Sequence, residues 1–157
     1  MSCTRIELEV EMEQSYSCSI KVNKSPEVVF NKIMQVELWW SEDIKGKTVN
    51  TNDIFNIQFV FGDSFVIKVV ESIPNKKIVW LVTDCNLTWI KDSKEWKETR
   101  IIFEILEGEQ TEIRFTHIWL IPGIECYEGC SKGWNYFIKE SLFGFINDGI
   151  GKPDRKK

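Results

Sequence analysis

The sequence predicts an α+β fold: a curved antiparallel sheet of about six to seven strands wrapped around one long C-terminal helix, with a short helix after the first strand. Three observations carry that expectation. From Phe55 to Trp119 the chain alternates apolar and polar residues in short runs separated by turn residues, the period of a sheet with one wet face. From about Tyr127 to Asn147 the apolar spacing changes to three and four, the period of an amphipathic helix. The dry face of such a sheet and the dry stripe of such a helix have only each other to bury, which leaves a groove or cavity between them.

The 157 residues are one domain's worth of chain, enough to bury roughly two-thirds of the unfolded surface. At the start, Ile6, Leu8, Val10 and Met12 alternate with Glu7, Glu9, Glu11 and Glu13, and Tyr16, Cys18, Ile20 and Val22 continue in the same parity. One strand over that whole length would run ~56 Å at ~3.3 Å per residue, whereas a domain of this size is only ~40 Å across. The strand is therefore expected to break near Gln14. Residues 1–14 then form an N-terminal extension or extra strand, 15–151 the folded domain, and 152–157 a basic tail.

Ser25-Pro26-Glu27 is a helix start: a serine cap, proline at the first position and an acid in the first turn. Val28, Val29, Ile33 and Val36 supply its apolar stripe, which ends at Trp39-Trp40, and an extended stretch follows around residues 44–49. Next come Phe55, Ile57, Phe59 and Phe61 up to a turn at Gly62-Asp63, then Phe65, Ile67 and Val69 up to Pro74-Asn75-Lys76. Residues 77–83 are apolar through their middle, so their inward parity is ambiguous. A long polar loop spans about Asn86 to Glu95. Thr99, Ile101, Phe103 and Ile105 then lead through the turn at Glu107–Gln110 to Ile113, Phe115, His117 and Trp119. Short turns make these strands antiparallel. Gly149 and Gly151 stop the last helix, and Pro153 forbids its resumption.

Composition removes several functions. Twenty Lys and Arg against 24 Asp and Glu leave a net charge of −4, without the basic excess that binding phosphates requires, so no nucleic-acid partner is expected. No long uncharged apolar run provides a membrane span, and glutamates stand where a signal peptide needs its apolar core, so the expected location is cytoplasmic. Five cysteines without framework spacing read as reduced thiols. His117 is the only histidine, which excludes a multi-histidine metal site and makes His117 the only possible base of a Ser-His-Asp triad. Gly149-Ile150-Gly151-Lys152 is no phosphate loop, because it follows a helix and precedes Pro153.

The candidate site is the cavity. His117 shares strand parity with Ile113 and Phe115, so it is expected to face the helix, either as a polar anchor or acid–base group, or as a buried histidine satisfied by a neighbouring carbonyl or hydroxyl. Asp84 follows Trp80 and Val82 in parity and either pairs with His117 or caps the loop at Asn86. Cys126 and Cys130 lie one helical turn apart; a zinc site would need two further ligands and only His117 offers itself, so no metal is expected. Trp39, Trp40, Trp119 and Trp134 are either pocket wall or plain core. The expected ligand-binding set is His117, Trp134, Phe137, Phe115, Trp80, Trp119, Trp40 and Asp84, with no cofactor and no assigned catalytic residue.

Residues 15–153 also carry a family resemblance. It rests on Ser25-Pro26-Glu27-Val28-Val29-Phe30, Trp39-Trp40-Ser41-Glu42, Pro74-Asn75-Lys76-Lys77-Ile78-Val79-Trp80, Phe115-Thr116-His117, Glu125-Cys126-Tyr127, Cys130, Trp134, Ser141-Leu142 and Gly149-Ile150-Gly151-Lys152-Pro153, in that order and spacing. The chain resembles the START-like, birch-allergen-like (SRPBCC) superfamily of helix-grip domains and, within it, the bacterial relatives of the heat-shock protein 90 ATPase activator. The resemblance implies a pocket for an apolar or amphipathic small molecule, which some members use for cyclisation or aromatisation and others only for binding. Its eukaryotic namesake implies contact with a chaperone. A binding domain is therefore the first expectation, a co-chaperone-like module the second and a cyclase-like enzyme the third. Two positions depart from the family pattern: Trp119 and Glu98 stand where relatives carry glycine. A tryptophan at 119 is placed to fill or gate the cavity mouth.

Overall fold

The computed structural model describes residues 14–155. The alternating segment at 1–13, expected as an extension or extra strand, lies outside the described residues, as do Lys156 and Lys157. Strand β1 (Tyr16–Val22) is followed by helix α1 (Pro26–Met34) and a 3₁₀ turn at Val36–Leu38. Then come β2 (Asp43–Gly46), β3 (Ile54–Gln58), β4 (Ser64–Ile73), β5 (Lys77–Asn86), β6 (Arg100–Leu106) and β7 (Thr111–Ile118). The C-terminal helix starts as α2 (Tyr127–Tyr136), passes through a π-helical segment at Phe137–Leu142 and ends as α3 (Phe143–Asp148).

The seven strands form one sheet in the order β1-β7-β6-β5-β4-β3-β2, with every neighbouring pair antiparallel. From β2 to β7 consecutive strands are neighbours, joined by turns or short loops except for the long loop between β5 and β6. β1, whose connection onward is α1, closes the far edge against β7, with Tyr16 opposite His117 and Ile20 opposite Ile113. Helix α1 begins as its residues require: Ser25 Oγ accepts the Val28 N–H at 3.3 Å, and Pro26 opens the first turn.

Of the two bulges between β4 and β5, the first settles the parity of β5. Ile67 faces Val82 while the next residue of β4, Val66, faces Asp84, so Thr83 is an extra residue and everything after it changes side. Ile78, Trp80 and Val82 therefore point into the core, and beyond the bulge Cys85 does so in place of Asp84. The second bulge puts Val70 on the outer face, beside a small cluster of Val79, Ile102 and Ile118.

The helix buries Trp134, Ile138, Leu142, Phe145 and Ile146 against the sheet. Ser141, in the π segment, donates to the Trp39 carbonyl at 2.6 Å and accepts the Lys152 N–H at 2.7 Å. Gly149 ends the helix at φ 76°, and Gly151 passes so near the 3₁₀ turn that a Cβ would lie 2.1 Å from the Leu38 carbonyl oxygen. Beyond it, the stretch expected as a basic tail is docked as far as it is described. Asp154 makes a parallel bridge to Ser41, donates its N–H to Trp40 and accepts the Glu42 N–H, each of these two bonds 2.9 Å.

Candidate functional site

Between sheet and helix lies a ladder of indoles. The 3₁₀ turn after α1 delivers Trp39 and Trp40 into the core, and the Trp39 indole N–H is held by the Ile33 carbonyl at 2.9 Å. Trp80 stacks on Trp39 at 6.4 Å and on Trp40 at 5.9 Å. Trp40 stacks on Trp134 of the helix at 5.1 Å, and Trp134 on Trp96 at 5.7 Å. Phe65 completes the outer end, 4.5 Å from Trp96. The inner half of the space between sheet and helix is thus filled by aromatic rings rather than left open.

His117 is fully buried beside this ladder, and its partners assign its proton. Trp134 Nε1 donates to His117 Nδ1 at 3.0 Å, so Nδ1 is the acceptor. Thr99 Oγ1 donates to the Trp96 carbonyl at 2.6 Å and therefore accepts from His117 Nε2 at 2.8 Å. One chain of donors runs from helix to loop: Trp134, His117, Thr99, Trp96. Burial pushes the His117 pKa down to about 3. The neutral ring has both nitrogens engaged and leaves no lone pair or proton for a substrate.

A pocket of about 380 Å³ opens at the outer end of the ladder. Trp40, Trp96 and Trp134 form its floor, and Phe59, Phe61 and Phe65 its sheet wall. On the helix side the wall is made by Gly129, Cys130, Gly133 and Phe137. The two glycines, one turn apart, play different parts. A Cβ on Gly129 would sit 2.6 Å from the Trp89 ring, so Gly129 is the seat of that ring. A Cβ on Gly133 would meet nothing within 4 Å, so its missing side chain is part of the empty volume.

The loop between β5 and β6, expected as merely polar, is the roof. Leu87 and Trp96 are buried, and Trp89 lies over the pocket with its rim exposed. Three carboxylates hold this loop. Asp63, buried at the β3–β4 turn, accepts from the Thr88 N–H (2.8 Å), the Thr88 hydroxyl (2.9 Å) and the Trp89 indole (2.9 Å). Glu125 accepts the Lys91 N–H at 2.9 Å and the Asp92 N–H at 3.2 Å, and these bonds hold its carboxyl below the usual range. Glu95 reaches the other way and accepts the Glu125 and Cys126 N–H groups at the start of α2.

The expected site residues are divided by the fold. Trp40, Trp134 and Phe137 line the pocket. Trp80, Phe115 and His117 lie in the packed layer behind it, at 0% exposure. Asp84 does not pair with His117: the Thr83 bulge turns it to the outer face, where it meets Lys94 at 3.0 Å, and that bond together with the Cys85 N–H lowers its pKa. Trp119 does not line the pocket either. At φ 81° it turns away from the strand, 36% exposed, and its N–H donates to Ser15 Oγ. Glu98, the second departure from the family pattern, also has a positive φ, 70°. Phe59, Phe61, Phe65, Trp89, Trp96 and the glycine pair were outside the expected set; the signal for them is two glycines a turn apart in a helix and tryptophans in a polar loop. Cys126 and Cys130 share a hydrogen bond, which with burial pushes the Cys126 thiol up. Among the described residues no three His, Cys, Asp or Glu side chains come together as metal ligands, and no helix is long and apolar enough to cross a membrane.

A seven-stranded antiparallel sheet closed around a long C-terminal helix defines the helix-grip fold, and in it the chain resembles the START-like, birch-allergen-like superfamily. Within it the chain resembles the bacterial relatives of the heat-shock protein 90 ATPase activator. It is similar to the solution structure of the Aha1 dimer from Colwellia psychrerythraea, at 25% identity and a TM-score of 0.70, over 87% of this chain and 98% of that one. A protein from Mesorhizobium loti shares the fold at 17% identity and a TM-score of 0.68, over 84% of this chain and 95% of that one. DynU16, from the dynemicin biosynthetic locus, shares it at 16% identity and a TM-score of 0.69, over 91% of this chain and 51% of that one. No protein-family model and no curated protein sequence matches the chain.

Proposed function

We propose that this protein binds an apolar or amphipathic small molecule in the pocket at the outer end of the tryptophan ladder. The observation that carries the reading is a cavity walled by aromatic rings in which Asp63 and the Trp134 N–H already have partners, while the buried Trp96 indole N–H has none. Asp63 is saturated by Thr88 and Trp89, and the Trp134 N–H by His117. Such walls desolvate hydrocarbon or an aromatic ring well and offer a buried polar group of the ligand little besides the Trp96 N–H. A polar end would sit at the rim, where Phe61 and Trp89 meet solvent. His117 then acts through Trp134, whose ring plane it fixes, rather than by touching the ligand.

Titration with N-phenyl-1-naphthylamine, an uncharged dye that brightens in apolar sites, tests this directly. Saturable binding that Gly133→Leu abolishes supports the reading; no binding to the folded wild type overturns it. Native mass spectrometry of the purified protein would identify a co-purified ligand as excess mass lost on denaturation.

The likeness to the Aha1 dimer over nearly its whole length favours a second reading, a protein-interaction module that contacts a chaperone. Purified bacterial heat-shock protein 90 is the partner to test, with its ATPase rate as the readout. An enzyme of the cyclase kind would need an open acid–base group on the cavity, and His117 presents none.

A further inference from the structure

We propose that the segment after the C-terminal helix is a strap that sets the width of the pocket, with Asp154 as its positioning residue. The inference rests on the pocket reading above and adds what holds the floor and wall of that pocket at their spacing. Asp154, half-buried, bonds to both. Its N–H donates to the carbonyl of Trp40, a floor residue, at 2.9 Å. Its carboxylate oxygen Oδ2 accepts the Val60 N–H at 2.8 Å, and Val60 stands between Phe59 and Phe61 of the sheet wall. One residue thus spans floor and wall, whose rings Trp40 and Phe59 lie 5.7 Å apart.

The same bond reaches the roof. Val60 belongs to the β3–β4 turn, which is closed by the Phe59 N–H on the Asp63 carbonyl at 2.8 Å and the Gly62 N–H on the Phe59 carbonyl at 3.0 Å. Asp63 of that turn holds Thr88 and Trp89 over the pocket. Wall and roof therefore hang from one turn, and Asp154 tethers that turn to the Trp40 backbone. The strap itself is anchored by the Lys152 N–H on Ser141 Oγ and by the Glu42 N–H on the Asp154 carbonyl. Val60 and Phe61 are 48% and 60% exposed, so the turn can move off Asp154 without opening the buried ladder. The docked strap holds floor, wall and roof at the spacing a ligand meets. Docking and ligand binding then share one coupling free energy, and each strengthens the other by the same factor.

The test measures N-phenyl-1-naphthylamine affinity on the wild type, Asp154→Ala, Asp154→Asn and Arg155→Ala. Amide exchange at Glu42, Val60 and Asp154 is followed by NMR on the wild type with and without saturating dye. The expected result is an affinity about fivefold or more weaker in Asp154→Ala. Asp154→Asn keeps a side-chain oxygen for the Val60 N–H and should stay within about twofold of the wild type. Arg155→Ala removes the exposed ion pair to Glu42 at 3.0 Å and should leave the affinity unchanged. The dye should slow exchange at the three amides about fivefold or more, which a tail that only adds stability would not show. If the dye binds Asp154→Ala as tightly as the wild type, or binds the wild type without slowing those amides, the strap is overturned and the pocket reading stands. The exchange measurement needs no variant, so it decides the matter even if Asp154→Ala fails to fold. If the folded wild type does not bind the dye, both fall together.

Discussion

Trp134 donates its indole N–H to His117 Nδ1 across 3.0 Å, and this bond joins the C-terminal helix to the end of β7. It makes the histidine an acceptor on one side and a donor on the other, so the ring must be neutral. Protonation would set two N–H groups against each other inside the core.

The fold's stability should therefore depend on pH through His117. Its folded pKa, about 3, lies below its ordinary value of 6.5, so the unfolded chain takes up the proton first. The stabilisation is fully present above pH 6.5 and is lost as pH falls from there toward 3, at a limiting ~1.4 kcal/mol per pH unit. Urea titrations at pH 5 and pH 7 should show this slope, and His117→Phe should reduce it. His117→Ala, which orphans the Trp134 N–H and opens a void, is expected to lose ~3 kcal/mol or more at pH 7.

Gly133 and Gly151 should respond in opposite ways to alanine. A methyl at Gly133 meets open space, and a helix-interior glycine replaced by alanine gains ~1 kcal/mol, or a rise of roughly 2–4 °C in Tm. At Gly151 the methyl would meet the Leu38 carbonyl, so alanine should lower Tm and release the docked tail. Thermal melts of the two variants decide the matter.

Asp63→Asn should loosen the roof of the pocket without unfolding the sheet. The amide keeps one acceptor for three donors, and the expected cost is ~1–3 kcal/mol. Hydrogen exchange should quicken over residues 87–96 and stay unchanged in β6 and β7.

Glu125 should make the same loop sensitive to acid. Its pKa is lowered by the Lys91 and Asp92 N–H groups, so the tether is present above the ordinary carboxylate pKa and is lost as pH falls through the lowered value. Glu125→Gln should make the loop's protection, its exchange rate relative to the intrinsic rate at each pH, insensitive to pH in that range.

Glu98→Gly should stabilise the protein. Glu98 holds φ 70° in the turn closed by the Thr99 N–H on the Trp96 carbonyl. Relief of a left-handed backbone outweighs the extra freedom of unfolded glycine by ~0.5–1 kcal/mol, readable as a higher urea midpoint.

What the sequence determined by itself is what local periodicity can encode. Ile113, Phe115 and His117 share one face because alternate residues of a strand must. Ser25-Pro26 starts a helix because its orphan N–H groups need an acceptor three residues back. The strand run followed by a long amphipathic helix left one way to bury both dry surfaces, and the fold class followed. The tertiary structure decided what depends on pairing between distant residues. The bulge at Thr83 exists only in register with Val66 and Ile67, and it alone sends Asp84 outward and Cys85 inward. Trp89 and Trp96 sit in a segment that reads as polar, and Asp63, Glu95 and Glu125, remote in sequence, fold it down as a roof. Trp80, Trp40 and Trp134 look alike as letters. Stacking order makes Trp80 core and sets the other two, equally buried, against the pocket, because a ring's role depends on which rings cover its faces.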